Sequence, residues 1–366
     1  MSRLLIRTIF LTFLSLTLIA CGSNTTMTNP TATPEPTATP NRLLNIYNYD
    51  TYIDPQILTD FEGIHGVTIN YEIYDSNDEL YAELVANPGK YDIIVPSDYM
   101  VATMRQEDLL LRLDKTQIPN IINIAPQFTN RSYDPRNQHC IPYQWGTMAI
   151  GYNVKTIGRE ISSWQDFFAP ELAGRIALID EGRSMLGMTL IALGYSPNTT
   201  AEEEIKIARD FLIELAPNII DYAPDTGQDM LLSGEADAVV EWNGDILQIM
   251  EDNPDIRYLI PDEGTIIWTD NACIPATAPN PEMAHAFLNH LLDAKVGAQL
   301  SEFISYASPN QASLALLDSE TRQNSALYPP SEIREKLFYI IDLEQNNRLY
   351  DDAWAEVLEH FRANQE

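Results

Sequence analysis

The chain predicts an α/β fold built on a mainly parallel sheet covered on both faces. Three observations carry this. Strand-like and helix-like segments alternate from Leu44 to Pro96. The run Tyr91-Asp92-Ile93-Ile94-Val95-Pro96 is almost continuously apolar, as in a strand buried on both faces. The chain has 366 residues, 45% of them hydrophobic, which is enough for two domains of ordinary size.

The first stretch lies outside that pattern. Arg3 and Arg7 open the chain, an apolar run extends from Ile9 to Ile19, and small residues surround the cysteine in Leu18-Ile19-Ala20-Cys21-Gly22. This predicts a bacterial lipoprotein signal peptide over residues 1–20. The run is short for a transmembrane helix and lacks a strong basic stop. Cleavage before Cys21 leaves a thiol for lipid to cap. The alternative is an uncleaved anchor, or an ordinary signal with an incidental cysteine. Residues 21–42 are rich in Thr, Pro, Asn and Ser, with almost nothing apolar. They read as a disordered tether that leans to extended conformations. The expected address is extracytoplasmic and membrane-anchored, away from ATP and NAD.

The folded part begins at Leu43. Leu44, Ile46 and Tyr47 read as a first strand, and Asn48-Tyr49-Asp50-Thr51-Tyr52 as the loop after it. A helix starts at Pro55 and runs toward Phe61. Val67-Thr68-Ile69-Asn70-Tyr71 alternates as a strand should. Glu79 to Ala86 is a short helix, and the strand at 91–96 leads into a loop at Ser97-Asp98-Tyr99. Ala201 to Leu215 is helical, with Glu202, Glu203 and Glu204 at its positive end. Ala284, Phe287, Leu288, Leu291 and Leu292 recur at helical spacing, as do Trp354, Val357, Leu358 and Phe361. These apolar stripes read as core. Ligands of parallel sheets sit at the carboxyl ends of strands. Tyr49, Tyr52, Ser97 and Tyr99 are site candidates on that ground.

Charge narrows the partners. With 22 basic and 53 acidic side chains the net charge is −31. Nucleic acid is excluded, because phosphate binding needs a basic surface. A cationic ligand would be attracted, although acidity also serves solubility. The five histidines (65, 139, 285, 290 and 360) show no metal-ligand spacing. No metal and no cofactor is expected. A nucleophile elbow, a phosphate-cradling glycine loop and a His-Glu-x-x-His run are all missing from the sequence.

Aromatic residues stand beside acids instead. Tyr49-Asp50-Thr51-Tyr52 and Asp98-Tyr99 follow strands. Trp242-Asn243-Gly244-Asp245 follows Val239-Val240, Trp268-Thr269-Asp270 follows Ile266-Ile267, and Tyr306 opens a Ser-Pro-Asn turn. Aromatic faces attract organic cations by about 0.5–2 kcal/mol each, and carboxylates accept ammonium hydrogens. A slot walled by rings with acids near its ends suits a linear diamine or polyamine. Taken singly, each aromatic is as well explained by core packing.

These segments carry a resemblance. Tyr47-Asn48-Tyr49-Asp50-Thr51-Tyr52, Asp92-Ile93-Ile94-Val95-Pro96-Ser97-Asp98-Tyr99 and Ile141-Pro142-Tyr143-Gln144-Trp145-Gly146-Thr147 come first. Ser163-Trp164-Gln165-Asp166-Phe167, Glu241-Trp242-Asn243-Gly244-Asp245, the run from Ile267 to Pro275, and Tyr306-Ala307-Ser308-Pro309-Asn310 follow in order. From Leu44 to about Tyr350 the chain resembles the extracytoplasmic spermidine/putrescine-binding proteins of ABC importers. The resemblance implies a two-lobe periplasmic-binding-protein-like α/β fold with crossing hinge strands and a central ligand cleft. Lobe 1 would comprise residues 43–143 and 275–310, and lobe 2 residues 144–274 and 311–366. The crossings would lie near Ile141–Thr147, near Ala272–Thr277 and after Tyr306.

The resemblance also implies roles. Tyr49, Asp50, Tyr52, Ser97, Tyr99, Trp242, Trp268 and Tyr306 would line the ligand, with Tyr49 replacing the family's usual tryptophan. Asp270 would hold an amine group, and Glu181 and Asp245 would supply further acids. Ser184 departs from the glutamate common in spermidine binders. Glu241 could compensate, but a strand would point it away from the Trp242 side. Cys140 and Cys273 each precede an Ile-Pro dipeptide, and the crossing strands run side by side in this family, which implies a Cys140–Cys273 disulfide. Buried free thiols are the alternative. The implied partners are a polyamine, an ABC permease and, through lipid on Cys21, a membrane. The implied state is a monomer without enzymatic activity. An exported carboxylate-dependent hydrolase, or a same-fold sensor or binder of another cationic solute, remains the rival reading.

Overall fold

In the computed structural model, which describes residues 42–223 and 226–365, the strands join into one continuous sheet. Residues 1–20, Cys21 and nearly all of the expected tether lie outside the described residues. The strands are β1 (Leu43–Tyr49), β2 (Thr68–Tyr74), β3 (Ile93–Ile94), β4 (Cys140–Asn153), β5 (Ile176–Ile179), β6 (Ile219–Ala223), β7 (Ala238–Trp242), β8 (Ile256–Leu259), β9 (Thr265–Cys273) and β10 (Leu337–Tyr339). Their order is β2-β1-β3-β9-β4-β7-β5-β6, with β10 beside β9 and β8 beside β4. The pairs at each end, β1 with β2 and β3, and β5 with β6 and β7, are parallel. The middle is antiparallel, where β9 meets β3 and β4, and β4 meets β7.

Alternation along the end strands explains why both faces are covered. Leu44 and Ile46 enter one core with Ile57, Phe61, Val95 and Phe287, while Tyr47 enters another with Leu80, Leu84 and Met104. In the other half, Ile176 and Leu178 pack with Trp164, Leu212 and Val357, and Ala177 packs with Met230 and Ile246. Successive strand residues point to opposite faces, so each half is a sheet between two helical layers. The helix Pro55–His65 shows how local sequence builds such a layer. Asp54 accepts from Gln56 N, Pro55 presets the first turn, and Gly66 ends the helix at φ 64°. Ile57 and Phe61 are its buried residues, each worth about 1.5–3 kcal/mol on burial.

Several expected boundaries move. The strand expected over 91–96 pairs only at Ile93–Ile94, although its neighbours are buried. Pro96 has no N–H to give the ladder, and its carbonyl accepts from Asn271 N. The loop expected at Ser97-Asp98-Tyr99 opens the helix Asp98–Gln106, which buries Met100, Val101 and Met104. Asn243-Gly244-Asp245 is the first turn of the helix Asn243–Asp252. Trp268 and Asp270 lie inside β9 rather than after a strand end. The crossing expected after Tyr306 does pair with β4, through Trp145 N donating to Ala307 O at 3.1 Å. The chain nevertheless stays with the first half past residue 311. Tyr328 still packs on that core, and Ile340 and Leu343 reach the second. The passage runs along β10.

β4 and β9 cross the centre together, in register from Cys140 opposite Cys273 to Met148 opposite Ile266, with an irregularity between Pro142 and Gln144. Both cysteines are buried and joined in a disulfide, with Cα atoms 4.4 Å apart. That spacing matches a directly opposed, non-hydrogen-bonded antiparallel pair. The bridge spans a sequence separation of 133 residues. Chain-entropy reasoning sets its stabilisation at up to roughly 4–5 kcal/mol. Reducing it, or replacing both cysteines by serine, is expected to lower the unfolding free energy by about 2–5 kcal/mol. Denaturant titration with and without reductant measures this, and coincident curves would contradict it.

Candidate ligand-binding site

Asp270 is the centre of the site. β9 brings its carboxylate between the loop after β1 and the start of the helix Asp98–Gln106. Tyr52 Oη donates to its Oδ2 at 2.8 Å and Ser97 Oγ to its Oδ1 at 2.7 Å. Ser97 is held in turn by Asn77, which donates to Ser97 Oγ at 3.0 Å and accepts from Ser97 N at 3.1 Å. Tyr49 Oη lies 3.5 Å from the same Ser97 Oγ.

From this acid a file of rings runs across the sheet. Tyr49 meets Tyr52 edge-on at 5.7 Å, and Tyr52 meets Tyr306 at 6.0 Å. Tyr306 meets Trp268 at 5.1 Å, and Trp268 meets Trp242 at 5.8 Å. The second acid stands on this file, where Tyr306 Oη donates to Asp245 Oδ2 at 3.0 Å. Glu181 is exposed just before the helix Gly182–Ala192, and Ser184 Oγ donates to its Oε2 at 3.2 Å. Its charge reaches Tyr49 and Tyr99, helping to hold both hydroxyls above their ordinary range, chiefly behind burial. Tyr99 is 39% exposed at the rim.

Two glycines make room for the rings. A Cβ on Gly146, directly opposite Trp268 in the β4–β9 register, would lie 2.5 Å from Trp268 Cζ2. A Cβ on Gly244 would lie 2.3 Å from Tyr306 Cζ. Both separations are too short for any side chain.

The structure thus gathers Tyr49, Tyr52, Ser97, Tyr99, Glu181, Trp242, Asp245, Trp268, Asp270 and Tyr306. Asp50 does not join them. It is exposed, and its carboxylate accepts from Thr51 N at 2.8 Å within the turn after β1. Glu241 points away as strand alternation requires. It is buried and accepts from Gly227 N at 3.1 Å and Trp242 N at 3.0 Å. Sequence reasoning missed Asn77, which positions Ser97, and gave Asp98 no role beyond its place beside Tyr99. Only their place beside a strand end could have signalled them. Among the described residues no group of side chains could hold a metal ion, and no helix is long and apolar enough to cross a membrane.

Burial pushes the Asp270 carboxyl up to about 6, against the downward pull of Ser97 and Tyr52. A raised carboxyl disfavours folding once ionised. There is no effect below the unfolded value of 3.8; the cost grows between 3.8 and about 6 and is complete above. Its size is about 3 kcal/mol. Without ligand, Asp270→Asn is therefore expected to unfold at higher denaturant than wild type at neutral pH. The advantage should shrink as pH falls from about 6 toward 3.8, below which both states are protonated. A variant less stable than wild type by the same amount at both pH values would refute this.

The comparisons agree with this geometry. A family profile described as bacterial extracellular solute-binding protein matches residues 56–329. The spermidine/putrescine-binding periplasmic protein of Escherichia coli K12 is 34% identical over 319 residues, covering 87% of this chain and 92% of that protein. The solved substrate-binding protein of a spermidine/putrescine ABC transporter from Streptococcus pneumoniae aligns with a TM-score of 0.82 at 34% identity, over 87% of this chain and 99% of that one. A Treponema pallidum lipoprotein aligns with a TM-score of 0.78 at 26% identity, over 86% and 99%. These relatives are two-lobe solute-binding proteins of transporters, which overturns the hydrolase alternative. With the profile matched over residues 56–329, the chain belongs to the bacterial extracellular solute-binding proteins.

Proposed function

We propose that this protein captures a polyamine of the putrescine/spermidine class outside the cytoplasm and delivers it to an ABC permease. The observation that carries the reading is the file of rings from Tyr49 to Trp242, with Asp270 and Asp245 set along it. Methylenes lie against ring faces, and ammonium groups meet carboxylates that hydroxyls already orient. Each ring contributes about 0.5–2 kcal/mol toward a cation, and each charge-assisted hydrogen bond adds direction. Relatives named for spermidine and putrescine support the ligand class.

Calorimetry with putrescine, spermidine, agmatine and amino acids tests this. Both polyamines should bind, with putrescine competing well because Ser184 leaves one end of the slot less negative. Trp268→Ala and Asp270→Asn should each weaken binding, the latter by about 2–4 kcal/mol. Affinity should fall as pH drops through about 6, where Asp270 takes up a proton. No heat from any amine at millimolar concentration would end the proposal.

The same reading tethers the protein by lipid on Cys21, supported by the leader residues and by a relative named as a lipoprotein. Cells fed labelled palmitate should label the wild-type protein and not Cys21→Ser. Equal labelling of both would remove the anchor.

A further inference from the structure

Asp98 has no place in the file of rings and acids, yet it is one of the most confined charges in the protein. It is 4% exposed. Oδ1 accepts from Tyr99 N at 2.7 Å, and Oδ2 accepts from Thr269 N at 3.1 Å. One carboxyl therefore fastens the start of the helix Asp98–Gln106 to the middle of β9. Both residues it grips adjoin the site. Tyr99 carries the rim ring near Glu181, and Thr269 precedes Asp270. The same two segments meet again at the bridge between Ser97 and Asp270. Asp98 and Asp270 are thus two buried carboxyls on paired stretches of backbone.

The charged and titratable groups facing Asp98 come from every neighbouring element. β9 contributes Asp270, the segment before β4 contributes Arg131 and Tyr133, β10 contributes Tyr339, and its own helix contributes Tyr99. Arg131 is the only cation of this set. Its guanidinium lies 4.6 Å from the centre of the Tyr339 ring, and Tyr339 Oη is 3.0 Å from Thr269 Oγ1. Burial, then the charge of Asp270, push Asp98 up to about 8, while the two backbone N–H groups and Arg131 pull it down. Asp270 ionises first, at about 6. Near neutral pH the pair holds one negative charge and one proton. A cation seated on Asp270 cancels the second of the two influences that hold the proton on Asp98, after burial.

We infer that Asp98 is a positioning residue for amine capture, fixing Tyr99 and the backbone before Asp270 on one carboxyl, and that an ammonium arriving at Asp270 drives a proton from Asp98 to solvent. This rests on the amine-binding reading of the site. The step breaks one O–H bond on Asp98 and gives the proton to buffer; nothing else changes. The ligand supplies no proton of its own, since an alkylammonium titrates near 10.4, roughly, well above the range in question.

The experiment is titration of wild-type protein with putrescine at about pH 7.5, between the two carboxyl values, in two buffers of different ionisation heat. The difference in heat counts the protons exchanged. Wild type should release a fraction of a proton per putrescine. Asp98→Asn should release none and bind about tenfold or more weakly, because an amide oxygen serves only one of the two N–H groups well. Arg131→Gln removes the cation that favours ionised Asp98, together with its contact on the Tyr339 ring, and leaves the file from Tyr49 to Trp242 untouched, so its proton release should move to higher pH. Unchanged affinity in Asp98→Asn overturns the positioning role. Weakened affinity with undiminished proton release overturns the coupling. If Asp98→Asn does not fold, Arg131→Gln decides, and a release profile identical to wild type overturns the inference. Amine binding to wild type without proton release overturns the coupling alone, whereas no amine binding at all removes the functional reading and this inference with it.

Discussion

The antiparallel pairing of β4 with β9 is the interaction on which the rest of the structure depends. Each end of the sheet is an ordinary parallel α/β layer, closed over its own pair of cores. Neither end contains a complete site. The crossing pair supplies what they lack, because β9 carries both Trp268 and Asp270 through the middle. Register then does the placing. With Gly146 opposite Trp268, the indole lies across a strand position that has no side chain. A slip of one residue would send Trp268 and Asp270 to the other face.

The site keeps a carboxylate where water cannot reach it well. Asp270 is held by two hydroxyls and, among the described residues, no cation, which is a costly state for a buried charge. Hydroxyls orient the acid without neutralising it. A salt bridge in their place would stabilise the empty protein and leave nothing for a cationic ligand to complete. On the proposed reading, that unfavourable charge becomes part of the affinity for a cationic ligand. Asp245 also accepts from a hydroxyl, that of Tyr306.

Much of this was legible in the sequence, and the failures have physical causes. Alternation in Leu44-Asn45-Ile46-Tyr47 marked a strand because each side chain has its own core to enter. The aromatic and acidic pairs marked the site, since rings beside carboxylates have few structural uses at strand ends. Trp268 and Asp270 were misplaced as loop residues because a strand that crosses between halves is interrupted by polar function at its centre and looks like a strand end. Asp50 looks like its neighbours in the sequence, and its local bond to Thr51 N is one that composition does not reveal. Asp98 was legible only as the acid beside Tyr99. Its importance lies in two backbone N–H groups, one of them 171 residues away along the chain.

The Cys140–Cys273 bridge has a topological consequence. It closes the intervening chain into a covalent ring whose neck is the crossing pair itself. That ring contains β5, β6, β7 and most of the second core. A single peptide cut anywhere inside it opens the ring but leaves both products on one molecule. For a protein exposed to the proteases outside a cell, such a nick neither sheds a fragment nor separates Trp242 from Trp268.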